Sequence, residues 1–249
     1  MLKKVLIGFL VFFVLIFGAL ALTPLLFKDK LIAIAKKEIN KSINAKVNFE
    51  DVSVSLIKSF PKLHFGLKEL DITGIDKFEG VSLAKVDELS AGINLMKYIR
   101  ERKIEVNSIE IDQPVINAVV LKDSTANFDI MKSSEQTDEA SKPFNLDLQK
   151  LEINDAHISY KDEVSETIAR FAGLDIDGSG NFSADQFKAA TTFQADSAYI
   201  EKGGTNYLNN SRISLDANTD IDLKNKVYQI IENTIGINDL KLETKGKVD

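Results

Sequence analysis

The chain has 249 residues, 44% of them hydrophobic and 27% charged, with no cysteine and no tryptophan. That composition belongs to a folded chain and excludes a disulfide framework and any thiolate metal site. The formal charge of −6 hides a division, because residues 1–46 carry eight lysines against Asp29 and Glu38 and leave −12 for residues 47–249; so acidic a body argues against nucleic acid as a partner.

In chain order, the first feature is Lys3-Lys4 followed by the uncharged run Val5–Leu26. As a helix this run is roughly 33 Å long, enough to cross a bilayer core. It is read as a retained single-pass anchor over residues 1–28. The competing reading is a cleaved signal peptide ending near Ala19-Leu20-Ala21, against which the run is too long for an ordinary signal core. Lys28, Lys30, Lys36 and Lys37 follow the span closely, so a count of flanking positive charge alone would place the body in the cytoplasm. The same basic collar could meet anionic headgroups.

Asp29 to Asn44 reads as one amphipathic helix, with Ile32, Ala35, Ile39 and Ile43 recurring at spacings of three and four. From Val47 onward the period becomes two. Val52, Val54 and Leu56 alternate with serines, and Leu63, Phe65 and Leu67 follow Pro61. Leu89 to Leu95, Ile104 with Val106, Ile109 with Ile111, Leu146 with Leu148, Leu151 with Ile153, Phe187 to Phe193 and Ile213 to Ala217 continue the pattern. Such alternation predicts strands with one apolar and one polar face. Turns are expected at Thr73-Gly74, Asp177–Gly180, Lys202–Gly204 and Leu223–Lys226, and a short helical turn near Met96–Arg102. Beyond the first helix the expected class is mainly β and antiparallel.

Lys132–Lys142 is polar and aperiodic and precedes Pro143, so it reads as a mobile loop over 132–143. It separates a first β unit at 29–131 from a second at 144–249. An internal repeat straddles it: Ser108-Ile-Glu-Ile-Asp-Gln-Pro-Val-Ile116 aligns without gaps on Lys150-Leu-Glu-Ile-Asn-Asp-Ala-His-Ile158, 42 residues later. Leu70-Asp-Ile72 and Leu240-Lys-Leu242 resemble the same core, as in an array of similar β units.

No catalytic constellation emerges. His64 and His157 are isolated within strand patterns, and no nucleophile elbow, phosphate loop or zinc spacing is present. Asp175 to Gln186 matches a calcium loop at several positions. Gln186 replaces its bidentate glutamate, however, and the flanks read as strands, so a glycine-rich β-turn is the better reading. No enzyme, cofactor or metal site is expected. The apolar face itself remains, and it must be covered, paired with a partner, or offered to an apolar ligand.

The order of features resembles the N-terminal part of the AsmA family of bacterial envelope proteins. The likeness is carried by the basic start and span, Ala45-Lys-Val-Asn-Phe49, Phe60-Pro61, Leu70-Asp-Ile-Thr-Gly74, Phe78, the proline-bearing Ile109–Ile116 and the Asn127-Phe128 turn, where many members carry tryptophan. The resemblance implies an inner-membrane anchor with the body in the periplasm. It also implies a long, curved, repeating β-groove, continuing beyond residue 249, of the kind found in bridge-like lipid transfer proteins. Phospholipid acyl chains would be the ligand, moving between inner and outer membrane. The alternative is a non-enzymatic assembly or scaffold factor binding another envelope protein. The groove-lining candidates are Val52, Val54, Leu56, Leu63, Phe65, Leu67, Ile109, Ile111, Leu151 and Ile153.

Overall fold

A computed structural model describes residues 32–33, 36–37, 39–41, 43–55, 62–101, 104–130, 144–181 and 184–248. The period-two segments form strands β1 (Lys46–Asn48), β2 (Asp51–Ser55), β3 (Lys62–Thr73), β4 (Ser82–Asn94), β5 (Ile104–Asp112) and β6 (Val115–Val120). Then come β7 (Phe144–Asp162), β8 (Thr167–Gly180), β9 (Gln186–Lys202), β10 (Thr205–Asp222), β11 (Val227–Ile237) and β12 (Leu240–Val248). One helix, α1 (Leu95–Glu101), lies at the expected short helical turn and joins β4 to β5.

All twelve strands belong to one curved sheet. They fill ten positions, because β1 and β2 share the edge beside β3, and β5 and β6 share the position between β4 and β7. At about 4.8 Å per neighbour, ten positions span roughly 43 Å. The turns at Lys202–Gly204 and Leu223–Lys226 fall where expected; Gly203 (φ 56°) and Gly204 (φ 75°) form a tight two-residue hairpin that needs positive φ twice. Asp177–Gly180 is not a turn. It is the end of β8, and Gly178 pairs with Leu151 on one side and Thr191 on the other.

The expectation of a wholly antiparallel sheet is corrected in the middle. β5 and β6 both run parallel to β7. A parallel neighbour requires a crossover of a dozen residues or more, and residues 121–143 supply it. The register explains the internal repeat: Ser108 pairs with Lys150, Ile111 with Ile153, Val115 with His157 and Ile116 with Ile158, each 42 residues apart. The repeated sequence is thus two neighbouring strands in parallel register. Residues 29–131 and 144–249 meet there in a continuous ladder.

A second regularity bends the sheet. Inward-facing residues step by three instead of two at Leu67/Leu70, Ile111/Pro114, Ile153/Ala156, Phe171/Leu174 and Leu208/Ser211. Regular strand geometry would put the two halves on opposite faces. Immediately before the second residue of each pair stands a left-handed residue: Glu69 (φ 51°), Gln113 (φ 47°), Asp155 (φ 50°), Gly173 (φ 56°) and Asn210 (φ 50°). Each resets the phase of its strand; the register shifts as at a bulge beside Asp155, Gly173 and Asn210, whereas Glu69 and Gln113 keep step with their neighbours. These residues lie side by side across the sheet and form a crease. Side chains and backbone knit its polar side: Asn154 Nδ2 donates to Asp112 Oδ1 (2.7 Å), and Asp175 Oδ1 accepts from the Asp155 N–H (2.8 Å). At Gly173 an added Cβ would meet Asp196 Oδ2 at 2.6 Å, so glycine answers both the conformation and the close approach.

One end of the sheet is covered. Helical backbone at 32–33, 36–37 and 39–41 places Ile32 and Ile39, with Ile43 just beyond, against a cluster of Val47, Phe49, Leu70 and Val86. Lys36 Nζ lies 5.2 Å above the Phe49 ring, and Phe49 is fully buried. The Asn40 amide clamps the free edge of β1, donating to Val47 O (2.9 Å) and accepting from Val47 N (2.8 Å), which blunts an edge that could otherwise recruit another strand. Among the described residues no helix is long and apolar enough to cross a membrane. The anchor expected over residues 1–28 and the loop at 132–143 lie outside the described residues.

Candidate functional site

The alternating strands put an unbroken line of apolar side chains across all ten positions of the sheet. Successive pairs are Val52–Leu67, Leu67–Leu89, Leu89–Ile111, Ile111–Ile153 and Ile153–Ile176. The line continues through Ile176–Phe193, Phe193–Leu215, Leu215–Ile235 and Ile235–Leu242. Directly opposed residues share a face, so this is one ladder with one rung at each of the ten positions. Every rung from Val52 to Ile235 is half-buried, and Leu242 is 45% exposed.

Four of the sequence candidates, Val52, Leu67, Ile111 and Ile153, are rungs of this ladder. Phe65, Ile109 and Leu151 form the adjoining row through Phe65–Ala91, Ala91–Ile109 and Ile109–Leu151. Val54 pairs with Phe65 through its backbone. Leu63 lies one row further out, opposite Ile93, and Leu56 lies outside the described residues. Phe65 is 39% exposed.

On the other side of the ladder lies the crease. There Ala156 (0%), Leu174 (2%) and Ala195 (1%) are buried, packed by Ile153, Ile158, Phe171, Ile176, Phe193 and Ile213 of the same face. The Phe171 and Phe193 rings meet edge to face at 6.1 Å. Among the described residues no second layer faces β7–β12; every strand is in the one sheet. Residues reach such burial without a cover only when the side chains beside them lean over them. The apolar face is therefore the inside of the bend, and it is a trough floored by Leu174 and alanines and walled by isoleucine and phenylalanine.

The opposite face carries the row Ser53, Gly66, Ser90, Glu110, Glu152, Asp177, Thr192, Asp216, Thr234 and Glu243, paired in the same registers. Glu152 is held by Lys150 at 2.5 Å. Partial burial, with the nearby Asp112 and Glu152 carboxylates, pushes the Glu110 carboxyl above its ordinary range. Acids on one face and hydrocarbon on the other leave the trough without charge along the ladder.

The sequence pattern pointed to pairs of strands and missed the rungs Leu89, Ile176, Phe193, Leu215, Ile235 and Leu242 as members of one line. The three-residue steps were the available signal. They recur as apolar-x-apolar-x-x-apolar-x-apolar in Phe65–Ile72, Ile109–Ile116 and Leu151–Ile158. Leu70–Ile72 is therefore equivalent to Pro114–Ile116, beyond the crease, and not to Ile109–Ile111 ahead of it. Of the metal-like motif, Asp175 is committed to the crease through the Asp155 N–H. Among the described residues no three His, Cys, Asp or Glu side chains are grouped to hold a metal.

The model of the AsmA family matches residues 1–247, nearly the whole chain, and the protein belongs to that family. No curated protein and no solved structure gives a significant match.

Proposed function

From AsmA membership and an open apolar trough, we propose that this protein is a membrane-tethered, non-enzymatic carrier of phospholipid acyl chains in the bacterial envelope. The span at Val5–Leu26 would hold it in the inner membrane with the sheet in the periplasm. The observation that carries the reading is the ladder from Val52 to Leu242, apolar at each of the ten positions and half-open to solvent. At roughly 43 Å it is longer than the hydrocarbon depth of one leaflet, about 15 Å. An acyl chain laid in it exchanges one hydrocarbon surface for another, so movement along the rungs needs little net free energy. Headgroups would remain at the wet rim. A charged rung would interrupt that path at a cost of several kcal/mol.

Photo-crosslinking in cells provides the test. Crosslinkers at Phe65, Ile153 and Phe193 should capture lipid, whereas those at Glu110, Glu152 and Thr192 should not. Capture reversed between the two sets, or absent from the first, would sink the proposal. Capture of a protein at Leu240 and Leu242 would favour the scaffold reading, to which the exposure of these residues (55% and 45%) on the last strand lends support. Compartment and anchoring are read separately: an alkaline phosphatase fusion at the C-terminus should be active, and the mature chain should retain Val5–Leu26.

A further inference from the structure

Beyond the crease, on the face opposite the trough, the sheet carries a second and chemically different feature. Asn117 pairs with Ser159, Ser159 with Arg170, and Arg170 with Tyr199, which puts four polar side chains in one cross-strand row on β6, β7, β8 and β9. Because Ser159 and the neighbouring Ala172 are small while Arg170 and Tyr199 are long, the row borders an open hollow of about 350 Å³, rimmed by His157 and Asn210. That volume is at the lower end of the range for small-ligand clefts, about 300–1,000 Å³.

Its electrostatics run against the rest of the molecule. Residues 47–249 carry −12, yet among the described residues no Asp or Glu lines the hollow. Arg170 makes no ion pair with a described carboxylate within 4.0 Å; its guanidinium lies instead over the Tyr199 ring, 5.2 Å from the centroid. Carboxylates stand at the rim, where Glu201 accepts from the Tyr199 hydroxyl and Asp155 lies 3.9 Å from His157 Nε2. Ser197 Oγ donates to Asn210 Oδ1 (3.4 Å), turning the Asn210 amide nitrogen away from that contact. Beside the guanidinium stand the Ser159 hydroxyl and the amides of Asn117 and Asn210, of which Asn117 Nδ2 also donates to Ser82 O (3.5 Å). This donor set suits a tetrahedral oxyanion, because arginine meets phosphate in bidentate, charge-assisted geometry.

We infer that this hollow binds the phosphate group of a small phosphoester, with Arg170 as its counter-ion. The site lies on the polar face, away from the ladder, and does not depend on the trough carrying lipid. The same chemistry is offered by a glycerophosphate headgroup and by free phosphate.

The test is calorimetric titration of the full chain, in an uncharged detergent, with glycerol 3-phosphate, inorganic phosphate and glycerol. Saturable one-to-one binding of a phosphate compound, with no heat from glycerol, is expected. Arg170→Gln should weaken it about tenfold or more, the loss typical of a charged hydrogen-bonding partner. Ser159→Asp tests the same point without removing the arginine, since a carboxylate directly opposite Arg170 should occupy the guanidinium and block the site. Lys188→Gln, at the far end of β9, should leave binding unchanged. Tighter binding of glycerol 3-phosphate than of inorganic phosphate identifies an esterified headgroup as the ligand, and equal binding identifies the free anion. No saturable heat, or an affinity unchanged in both the Arg170→Gln and Ser159→Asp variants, overturns the inference. Lipid crosslinking at Ile153 and Phe193 should be unaffected by Ser159→Asp, so failure of this site and failure of the trough are read apart.

Discussion

The two halves of the sheet use the same strand motif and reach opposite ends with it. In β1–β6 the apolar face is stoppered: Phe49 and the helical Ile32 and Ile39 lie on Leu70 and Val86 and make a closed core. In β7–β12 the same face has no cover among the described residues, and its most buried members, Leu174 and the small Ala156, Ala195 and Ala198, are packed by side chains of the sheet itself. Phe49 is buried where another element sits on it, whereas Leu174 and the alanines beside it are buried where side chains of their own face shade them. The covered half supplies stability, since a lone sheet with one bare apolar face has little core of its own. The open half is left free to serve as a surface.

The sharpest way to break that contrast is to truncate one phenylalanine in each half. Phe49→Ala should cost about 3–5 kcal/mol, the usual loss for a buried phenylalanine. It should lower the denaturant midpoint of the whole sheet, because the strands form one ladder. Phe193→Ala removes a half-exposed rung and should cost only roughly 1 kcal/mol, while lipid crosslinking at Ile153 and Ile176 falls. Equal destabilisation by the two would mean that the second half is covered as well.

A smaller effect is expected where the covered half is locked. Asn127 is 3% exposed; its amide donates to Asn117 O (2.7 Å) and accepts from Val119 N (2.8 Å), taking the place of a neighbouring strand where β4 has ended. Asn40 does the same for Val47 on the outer edge. Asn127→Ala would leave both backbone groups unpaired and should cost about 2–3 kcal/mol. Asn127→Asp keeps the acceptor alone and should fall between. Hydrogen exchange at Val119 should report the opening of this edge before global unfolding. Protection at Val119 unchanged in Asn127→Ala would show that the side chain is dispensable there.

Much of this was legible in the sequence, and the limits have physical causes. Alternation located the strands because side chains on a pleated sheet have a period of two and one face is apolar. The repeat at 108–116 and 150–158 was visible too. Its meaning was not, because identical strands can be distant units or immediate neighbours, and only the long crossover decides for parallel neighbours. The crease was hidden by residue type: positive φ is supplied at Glu69, Gln113 and Asp155 by residues that do not announce it, and by glycine only at Gly173. The same apolar spacing at Ile235–Leu242 folds as a tight hairpin through Asn238 and Asp239, with Ile237 opposite Leu240. Pattern alone therefore does not separate a bulge from a turn. Four rungs of the ladder were foreseen from local alternation, whereas the line itself is a property of register, which no single strand encodes.

The smallest expected effect lies on β5, where the two halves join. Glu110 faces away from the trough with Glu152 directly across the parallel ladder and Asp112 two residues along its own strand. Burial first, and then those two carboxylates, raise its pKa in the folded protein. An unfolded glutamate titrates near 4.3, so at neutral pH the ionised form burdens the folded state. As pH falls through the raised folded value, the folded protein takes up a proton before the unfolded chain does, and the penalty is relieved. Glu110→Gln should accordingly raise Tm at pH 7. The gain should shrink as pH falls through the folded pKa and vanish below the unfolded one. Added salt should remove only the part owed to Asp112 and Glu152 and leave the part owed to burial. A Tm lowered by Glu110→Gln at neutral pH would show instead that the Glu110 carboxylate contributes to the join between the halves, through the attraction of Lys150 outweighing burial and its acidic neighbours.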